Sequence, residues 1–340
     1  LELLPLCNMS CDMCYVRLSR GEMEQKGRLH TADEWIRLGG EMAEAGVLFL
    51  LLTGGEPLLF PDFQRLYLEL RKLGMILTVN TNGTLLDEKW ADFFGRYKPR
   101  RVNITLYGAD ETAYGRLCHY PQGYEKAICA IRRLKERGVD VKINGSVTKD
   151  NRSDMGRIYQ IGRELDTPVH MDTYMFPGLR ERRLPFEQQS RLSPEEAAAA
   201  EIEVKKAEME PEDFARYVQQ TAESLRRGDL LSPRQISCMA GNCSFTVNWQ
   251  GIMHPCVMLD EPEVSVFDCG FQDAWDEISR NSKKHLLNEQ CARCPLRPVC
   301  HICAASAKLE TGAYDGVPEY LCRLAKEYAR LLCLEAEAGR

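Results

Sequence analysis

The sequence predicts an α/β protein with a parallel sheet or barrel of strand-helix units in its first half and a cysteine-rich appendage behind it. Two observations carry this. Apolar runs without alternation are each followed by a helical pattern, at a spacing of about 30 residues that is the βαβ period. Nine of the fifteen cysteines fall from Cys238 to Cys322, eight of them in a cluster that leaves out Cys269, and three more between Cys7 and Cys14. In a chain of 340 residues, clustered metal ligation explains that bunching better than disulfides do. At 44% hydrophobic, the chain can fill a sizeable core, in two domains or in one with an appendage.

The elements follow in order. Leu1 to Leu6 is a short apolar run that delivers Cys7, Cys11 and Cys14 on one tight loop. Thr31 opens a helix whose apolar positions Trp35, Leu38, Met42 and Ala45 recur at helical spacing, and Gly46 ends it. Val47 to Thr53 is apolar throughout, as expected of a strand covered on both faces, and stops at Gly54-Gly55-Glu56-Pro57. A helix from Pro61 to Leu73, a strand from Met75 to Asn80, a Thr81-Asn82-Gly83-Thr84 turn and a helix from about Asp87 come next. Strands from Arg101 to Tyr107, Val139 to Val147 and Val169 to Met175 alternate with helices from Tyr124 to Arg137 and Ser153 to Leu165. Six strands are fewer than the eight of a closed barrel, so residues 1–177 are expected to form a partial (β/α)6 TIM-type barrel. Residues 178–237 read as a bridge of exposed helices, with a basic stretch from Arg180 to Arg183 and an Ala-rich helix capped by Ser193. The Ala197 to Ala200 run is taken as helix propensity. Residues 238–340 form the cysteine-rich domain.

The net charge of -6 is modest, and no basic stripe points to nucleic acid. No apolar run approaches the ~20 residues that span a bilayer, and no signal peptide is visible, so the cytoplasm is the expected compartment and no membrane partner is expected.

Three thiols on one loop call for a soft metal. A 4Fe-4S cluster would keep one iron without a protein ligand; a zinc site completed by a distant residue such as His30 accounts for the loop equally well. Behind it, Cys238, Cys243 and Cys256 sit among turns shaped by Gly241, Gly251 and Pro255, followed by Cys291, Cys294, Cys300, Cys303 and Cys322. The two CxxC pairs suit a zinc ribbon, and eight thiols would equally fill two four-thiolate iron-sulfur sites. Cys118, Cys129, Cys269 and Cys333 stand apart as buried or spare thiols.

Cys7-x3-Cys11-x2-Cys14 at the end of the first strand, with Gly54-Gly55-Glu56-Pro57 at the end of the second, resembles the radical S-adenosylmethionine enzymes. The C-terminal cysteines resemble the SPASM extension of that superfamily, which carries two auxiliary 4Fe-4S clusters. The resemblance implies that Cys7, Cys11 and Cys14 hold a cluster whose open iron chelates S-adenosylmethionine. Reductive cleavage, fed by a reductant such as flavodoxin or ferredoxin, then gives a 5'-deoxyadenosyl radical that abstracts hydrogen from substrate. It implies that Met13 lies near the adenine and that Gly54, Gly55, Glu56 and Pro57 receive the methionine amino group. Strand-end glycines suit this, since they let backbone carbonyls approach an ammonium. Asn82, Thr105, Tyr107 and Asn144 fall at strand ends, where barrel sites gather; Thr105 and Arg116 resemble positions that bind carboxylate and ribose. Asp172 and Tyr174, on the last strand, are candidates to face substrate. By resemblance, Cys238, Cys243, Cys256 and Cys303 hold one auxiliary cluster, and Cys291, Cys294, Cys300 and Cys322 the other. The sequence departs from the common pattern by placing two residues rather than three between Cys300 and Cys303.

The resemblance implies a peptide or protein substrate, with peptide maturation favoured. The sulfatase-activating branch, which makes formylglycine, usually has Asp after the cysteine matching Cys256, where this chain has Val257. Many maturases carry a leader-recognition domain ahead of the barrel; this sequence opens at Leu1, so such a domain would lie upstream, on a separate protein, or be dispensable. A non-enzymatic zinc adaptor and a plain electron carrier are the other readings. About twelve irons per chain would separate cubane clusters from zinc.

Overall fold

The computed structural model describes residues 1–177, 180–181, 190–227 and 238–338. Five strands, β1 (Phe49–Leu52), β2 (Ile76–Thr81), β3 (Arg101–Thr105), β4 (Val141–Ser146) and β5 (Val169–Asp172), pair in parallel in that order. Residues 1–4 extend the sheet beyond β1: Glu2 bridges Thr53 in parallel, and the Leu3 amide donates to the Thr53 carbonyl at 2.9 Å. The six parallel segments of a partial barrel are thus present. Their carboxyl ends converge on one rim.

Outside the sheet lie α1 (Arg20–Lys26), α2 (Ala32–Glu44), α3 (Phe63–Lys72), α4 (Glu88–Arg96), α5 (Glu111–Cys118), α6 (Gly123–Glu136) and α7 (Met155–Glu164). Thr31 caps α2 reciprocally with Glu34, satisfying two end donors that the helix leaves open. Trp35, Leu38 and Met42 then face inward and are buried. At Gly39 a Cβ would sit 2.3 Å from Leu70 Cδ2, so glycine sets how closely α2 meets α3. Burying Leu66 and Leu70 there contributes on the order of 2 kcal/mol each.

The expectation that β1 is covered on both faces is corrected. Leu50 and Leu52 are buried under the helices, but Leu48 and Phe49 are 63% and 68% exposed. Six strands do not close a circle, so the inner face is a lumen rather than a packed core. Further along the sheet the inner face is polar, with Asn80, Asn103, Asn144 and Ser146 alternating with buried Val79, Val102 and Ile143.

Beyond β5, α8 (Pro194–Glu208) is capped by Ser193 with Glu196, as expected, but it is not exposed. Ala197, Ala198 and Ala200 are fully buried. Their small side chains let α8 lie against β5 on one side and α14 (Glu319–Ala338) on the other. α9 (Pro211–Arg227) joins the same layer, where Tyr217 and Tyr328 hydroxyls meet at 2.8 Å. The rest of the expected bridge, residues 178–179, 182–189 and 228–237, including Arg182 and Arg183, lies outside the described residues.

The C-terminal segment builds a three-stranded antiparallel sheet from β6 (Thr246–Val247), β7 (Ile252–His254) and β8 (Val264–Ser265). Helices α10 (Val266–Cys269), α11 (Phe271–Ser282), α12 (Glu289–Ala292) and α13 (Ala304–Thr311) follow, before α14. Glu41 of α2 accepts from the Phe271 amide at 2.8 Å, docking this segment on the barrel. A second tie is the buried ion pair of Arg191 with Glu310, the guanidinium also lying over the Tyr320 ring.

Candidate active site

The cysteine loop follows the strand formed by residues 1–4 and lies against the Gly54-Gly55-Glu56 turn. Gly55 and Glu56 amides donate to the Leu4 and Leu6 carbonyls at 2.8 and 2.9 Å. A Cβ at Gly54, whose φ is +141°, would come within 2.5 Å of Leu4 O, and one at Gly55 within 2.2 Å of Leu6 O. The glycines therefore let the strand that carries the cysteines touch this turn, a role that needs the neighbouring chain to be seen. On the far side, Ser10 and Asp12 amides donate to the Cys118 and Leu117 carbonyls at 3.2 and 3.1 Å, and His119 Nε2 meets Asp12 Oδ1 at 2.7 Å.

Glu56 is fully buried. Its carboxylate accepts from Thr81 Oγ1 at 2.7 Å, the Asn82 amide at 2.9 Å and the Leu58 amide at 3.1 Å. Burial pushes its pKa up to about 7, against the opposing pull of those three donors. Asn82 Nδ2 donates to Asn8 Oδ1 at 2.9 Å and reaches Cys7 Sγ at 3.6 Å, while Thr84 Oγ1 donates to Asn82 Oδ1 at 2.7 Å. Thr81, Thr84 and Asn8 were not singled out from sequence. The Thr-Asn-Gly-Thr run at the end of β2 is the visible trace of Thr81 and Thr84, and Asn8 has none.

A cavity of about 260 Å3 opens at this rim, lined by Cys7, Cys11, Cys14, Met13, Gly54, Gly55, Asn82 and Thr105, and also by Tyr15, Tyr107 and Ser146. Glu56 and Pro57 stand behind that lining. Arg116 does not reach it; its guanidinium donates to the Asp150 carbonyl at 3.0 Å. Asn144 lies on β4 one register step below Ser146, with Oδ1 buried and unpaired. The Cys7 thiol is pushed up to about 12, chiefly by burial, while the Met9 amide at 3.4 Å pulls the other way.

Two larger cavities adjoin at Tyr15. One, of about 910 Å3, runs along the inner face of β1 past Phe49 and Leu51 to Cys243, Phe245 and Trp275. The other, of about 580 Å3, is lined by Asp172, Tyr174, His170, Lys205, Val257 and His301. Asp172 faces it exposed, whereas the Tyr174 hydroxyl donates to Glu310 at 2.7 Å. Asp260 accepts from Tyr314 at 3.3 Å.

All fifteen cysteines are described, and none forms a disulfide. Burial raises the Cys256 thiol, and the nearby charges of Cys303 and Cys238 add to the effect. Cys291 is raised by burial and then by Cys322 and Cys294; Cys300 is pushed to about 11 by burial, with Cys322 and Cys294 contributing. Cys238 and Cys303 are thus near enough for their charge to act on Cys256, as Cys294 and Cys322 act on Cys291 and Cys300. Cys303 caps α13, its sulfur accepting from the Ser306 amide at 3.4 Å. His30 is engaged elsewhere, stacked on Phe267 and bonded to the Gln250 carbonyl at 3.1 Å.

Residues 1–160 match the model of the Radical SAM superfamily. They are a radical SAM domain. The chain is 25% identical over 334 residues to an AdoMet-dependent heme synthase of Methanosarcina barkeri, covering 92% of each. It is 26% identical over 164 residues to a PqqA peptide cyclase of Gluconobacter oxydans, spanning 48% of this chain and 45% of that one. In fold it superposes on anSMEcpe with bound AdoMet and Kp18Cys peptide at a TM-score of 0.72 and 20% identity, covering 99% and 98% of the two chains. SuiB of Streptococcus suis bound to S-adenosylmethionine gives 0.69 and 16%, covering 94% and 76%.

A radical SAM domain uses a 4Fe-4S cluster and S-adenosylmethionine, and the residues present suit both. Cys7, Cys11 and Cys14 line one cavity, and three soft thiol donors at one opening suit an iron-sulfur cluster. Amide donors to Cys7 sulfur favour the thiolate that such a cluster needs.

Proposed function

We propose that the chain is a radical SAM enzyme that modifies a peptide or protein substrate by hydrogen abstraction, with two auxiliary 4Fe-4S clusters on its C-terminal cysteines. When bound, the N-terminal cluster and S-adenosylmethionine would supply a 5'-deoxyadenosyl radical. The observation that carries the reading is the meeting of three cavities at Tyr15, which joins the three-thiol pocket to a lumen walled by Cys243 and Val257. Gly54 and Gly55 fix the cysteine loop, Glu56 and Asn82 fix the rim around it, and Thr53 and Asn80 line both pocket and lumen. The lumen is open along the unfilled inner face of the sheet, which suits an extended chain threading past the rim.

Cys238, Cys243, Cys256 and Cys303 would hold one auxiliary cluster, and Cys291, Cys294, Cys300 and Cys322 the other. Four thiols apiece saturate both, which supports electron relay rather than substrate ligation. Val257 in the wall, and the tie of Asp260 to Tyr314, weigh against formylglycine chemistry. Flavodoxin or ferredoxin would be the reductant, in the cytoplasm; among the described helices none is long and apolar enough to cross a membrane.

Tetrapyrrole modification is the second reading, favoured by the end-to-end match to the heme synthase. Against it, Lys205 is the one Lys or Arg among the described residues lining the three cavities, which is few for a molecule bearing several carboxylates.

The test is anaerobic reconstitution, S-adenosylmethionine and dithionite, with candidate peptides from neighbouring reading frames and an iron coproporphyrin as parallel substrates. Deoxyadenosine with a peptide mass change is expected. Turnover confined to the porphyrin would establish the second reading, and absence of deoxyadenosine with every substrate would reject both.

A further inference from the structure

Cys118 is a fully buried thiol that the proposed chemistry does not use. It ends α5 directly behind the cysteine loop, and its thiol lies near enough to Cys11 for that group, after burial, to help hold it protonated. The backbone fixes the pair from both sides: Ser10 N-H donates to Cys118 O at 3.2 Å and Asp12 N-H to Leu117 O at 3.1 Å. The His119 ring on Asp12, at 2.7 Å, locks the next residue of each segment to the other. A disulfide needs Cα atoms about 4.4–6.8 Å apart, and backbone bonds on both sides of Cys11 hold its segment directly against that of Cys118. The other thiols outside the expected ligand sets differ. Cys129 donates to Glu125 at 3.5 Å and Cys269 to the Ser265 carbonyl at 3.3 Å, each back into its own helix.

We propose that Cys118 is the resolving partner of Cys11 in a redox pair, so that oxidation by hydrogen peroxide closes a Cys11-Cys118 disulfide and stores the loop in a recoverable form. The proposal rests on the radical SAM reading only for what is being protected. Cys11 lines the 260 Å3 cavity and is open to small solutes; Cys118 is not. The Cys11 sulfur attacks the peroxide, the O-O bond breaks, water leaves and Cys11 becomes a sulfenic acid. The Cys118 sulfur then attacks Cys11, the S-O bond breaks and a second water leaves. Two electrons pass from the two sulfurs to the peroxide. Without Cys118, the sulfenic acid stays exposed to further oxidation to the irreversible sulfinic acid. With it, a dithiol reductant returns both thiols by exchange.

The experiment uses the full reconstituted chain, exposed to hydrogen peroxide, alkylated and digested with trypsin and then Asp-N. Trypsin leaves residues 1–17 and 117–126, and Asp-N cuts between Cys11 and Asp12, separating Cys11 from Cys14. Residues 1–11 cross-linked to 117–126 through Cys11 and Cys118 are expected as the main product. Cys11 joined to Cys14, or recovered chiefly as sulfinic acid, would overturn the proposal. In a second arm, oxidised chains are treated with dithiothreitol and reloaded with iron and sulfide. The wild type should regain at least about twice as much N-terminal cluster as Cys118→Ala or Cys118→Ser, each normalised to its own loading before oxidation. Equal recovery would also overturn it. If neither variant loads iron at the outset, the wild-type cross-link map decides alone. Deoxyadenosine formation by unoxidised protein tests the radical SAM reading separately.

Discussion

Gly55→Ala tests the close approach between the glycine turn and the cysteine strand. The new Cβ would lie 2.2 Å from Leu6 O and 2.7 Å from Leu6 C, where ordinary contact begins at 3.4 Å. Both atoms are backbone, so no rotamer relieves the overlap and the Leu6 carbonyl must retreat by roughly 1 Å. Overpacking of this kind costs about 1–3 kcal/mol, and weakening the Glu56 N-H to Leu6 O bond adds up to about 1 kcal/mol. Cys7 is the next residue, so the displacement passes straight into the loop. Misplacement of a reacting geometry by about 1 Å can cost on the order of 100-fold in rate. The expected outcome is a lower Tm, roughly half or less of the N-terminal cluster, and deoxyadenosine formation down by at least about tenfold, with the C-terminal clusters intact. Iron and sulfide assays, cluster spectroscopy and single-turnover deoxyadenosine measurement read each part. Wild-type cluster content with deoxyadenosine formation within twofold of wild type would refute the steric reasoning.

Glu56 should give the chain without S-adenosylmethionine a distinctive pH response. Its carboxyl rises from 4.5 to about 7 on folding, so between those values the folded state holds a proton that the unfolded state releases. Stability therefore falls as pH rises through that window, by on the order of 2–3 kcal/mol from this group. Glu56→Gln should flatten that part of the Tm-pH curve, and an unchanged slope would count against the burial argument. Arg191→Ala leaves the Glu310 carboxylate buried with the Tyr174 hydroxyl donating to it but no cation beside it among the described residues; a loss of about 3–5 kcal/mol in urea unfolding is expected, and a loss under about 1 kcal/mol would contradict it. Cys11→Ala should abolish S-adenosylmethionine cleavage with the C-terminal clusters still assembled, and retained deoxyadenosine would reject the assignment of the loop. Cys322→Ala should lower solubility or product formation more than cofactor cleavage, with wild-type turnover showing the second auxiliary cluster to be dispensable.

Much of the fold was legible because its signals are local. The helix around Trp35, the strand ends near Thr53 and Asn80, and the Ser193 cap each follow from a few adjacent residues. The open inner face of β1 was not legible: an apolar run such as Val47 to Thr53 reads alike whether its second face meets a packed core or a lumen, and only strand number separates the two. Ala197 to Ala200 misled in the opposite direction, since good helix formers are also small enough for a helix to be clasped between two neighbours. At the site, the cysteines and glycines stood out by type and spacing. Asn8, Thr81 and Thr84 did not, because hydrogen-bond hubs made of common residues exist only once distant turns meet. Arg116 has a chemically suitable side chain, but α5 directs it to a backbone carbonyl outside the pocket.

The clasp on α8 has a consequence for how the molecule is made. As the polypeptide leaves the ribosome, α8 can settle on β5 at once, but its alanine-rich flank stays bare until α14 has been translated. Cys322, proposed above as a cluster ligand, lies within α14 itself. Covering that flank and completing the last set of thiols are thus a single late event in synthesis, and a nascent chain stalled short of it would present a sticky, metal-poor intermediate to the chaperones.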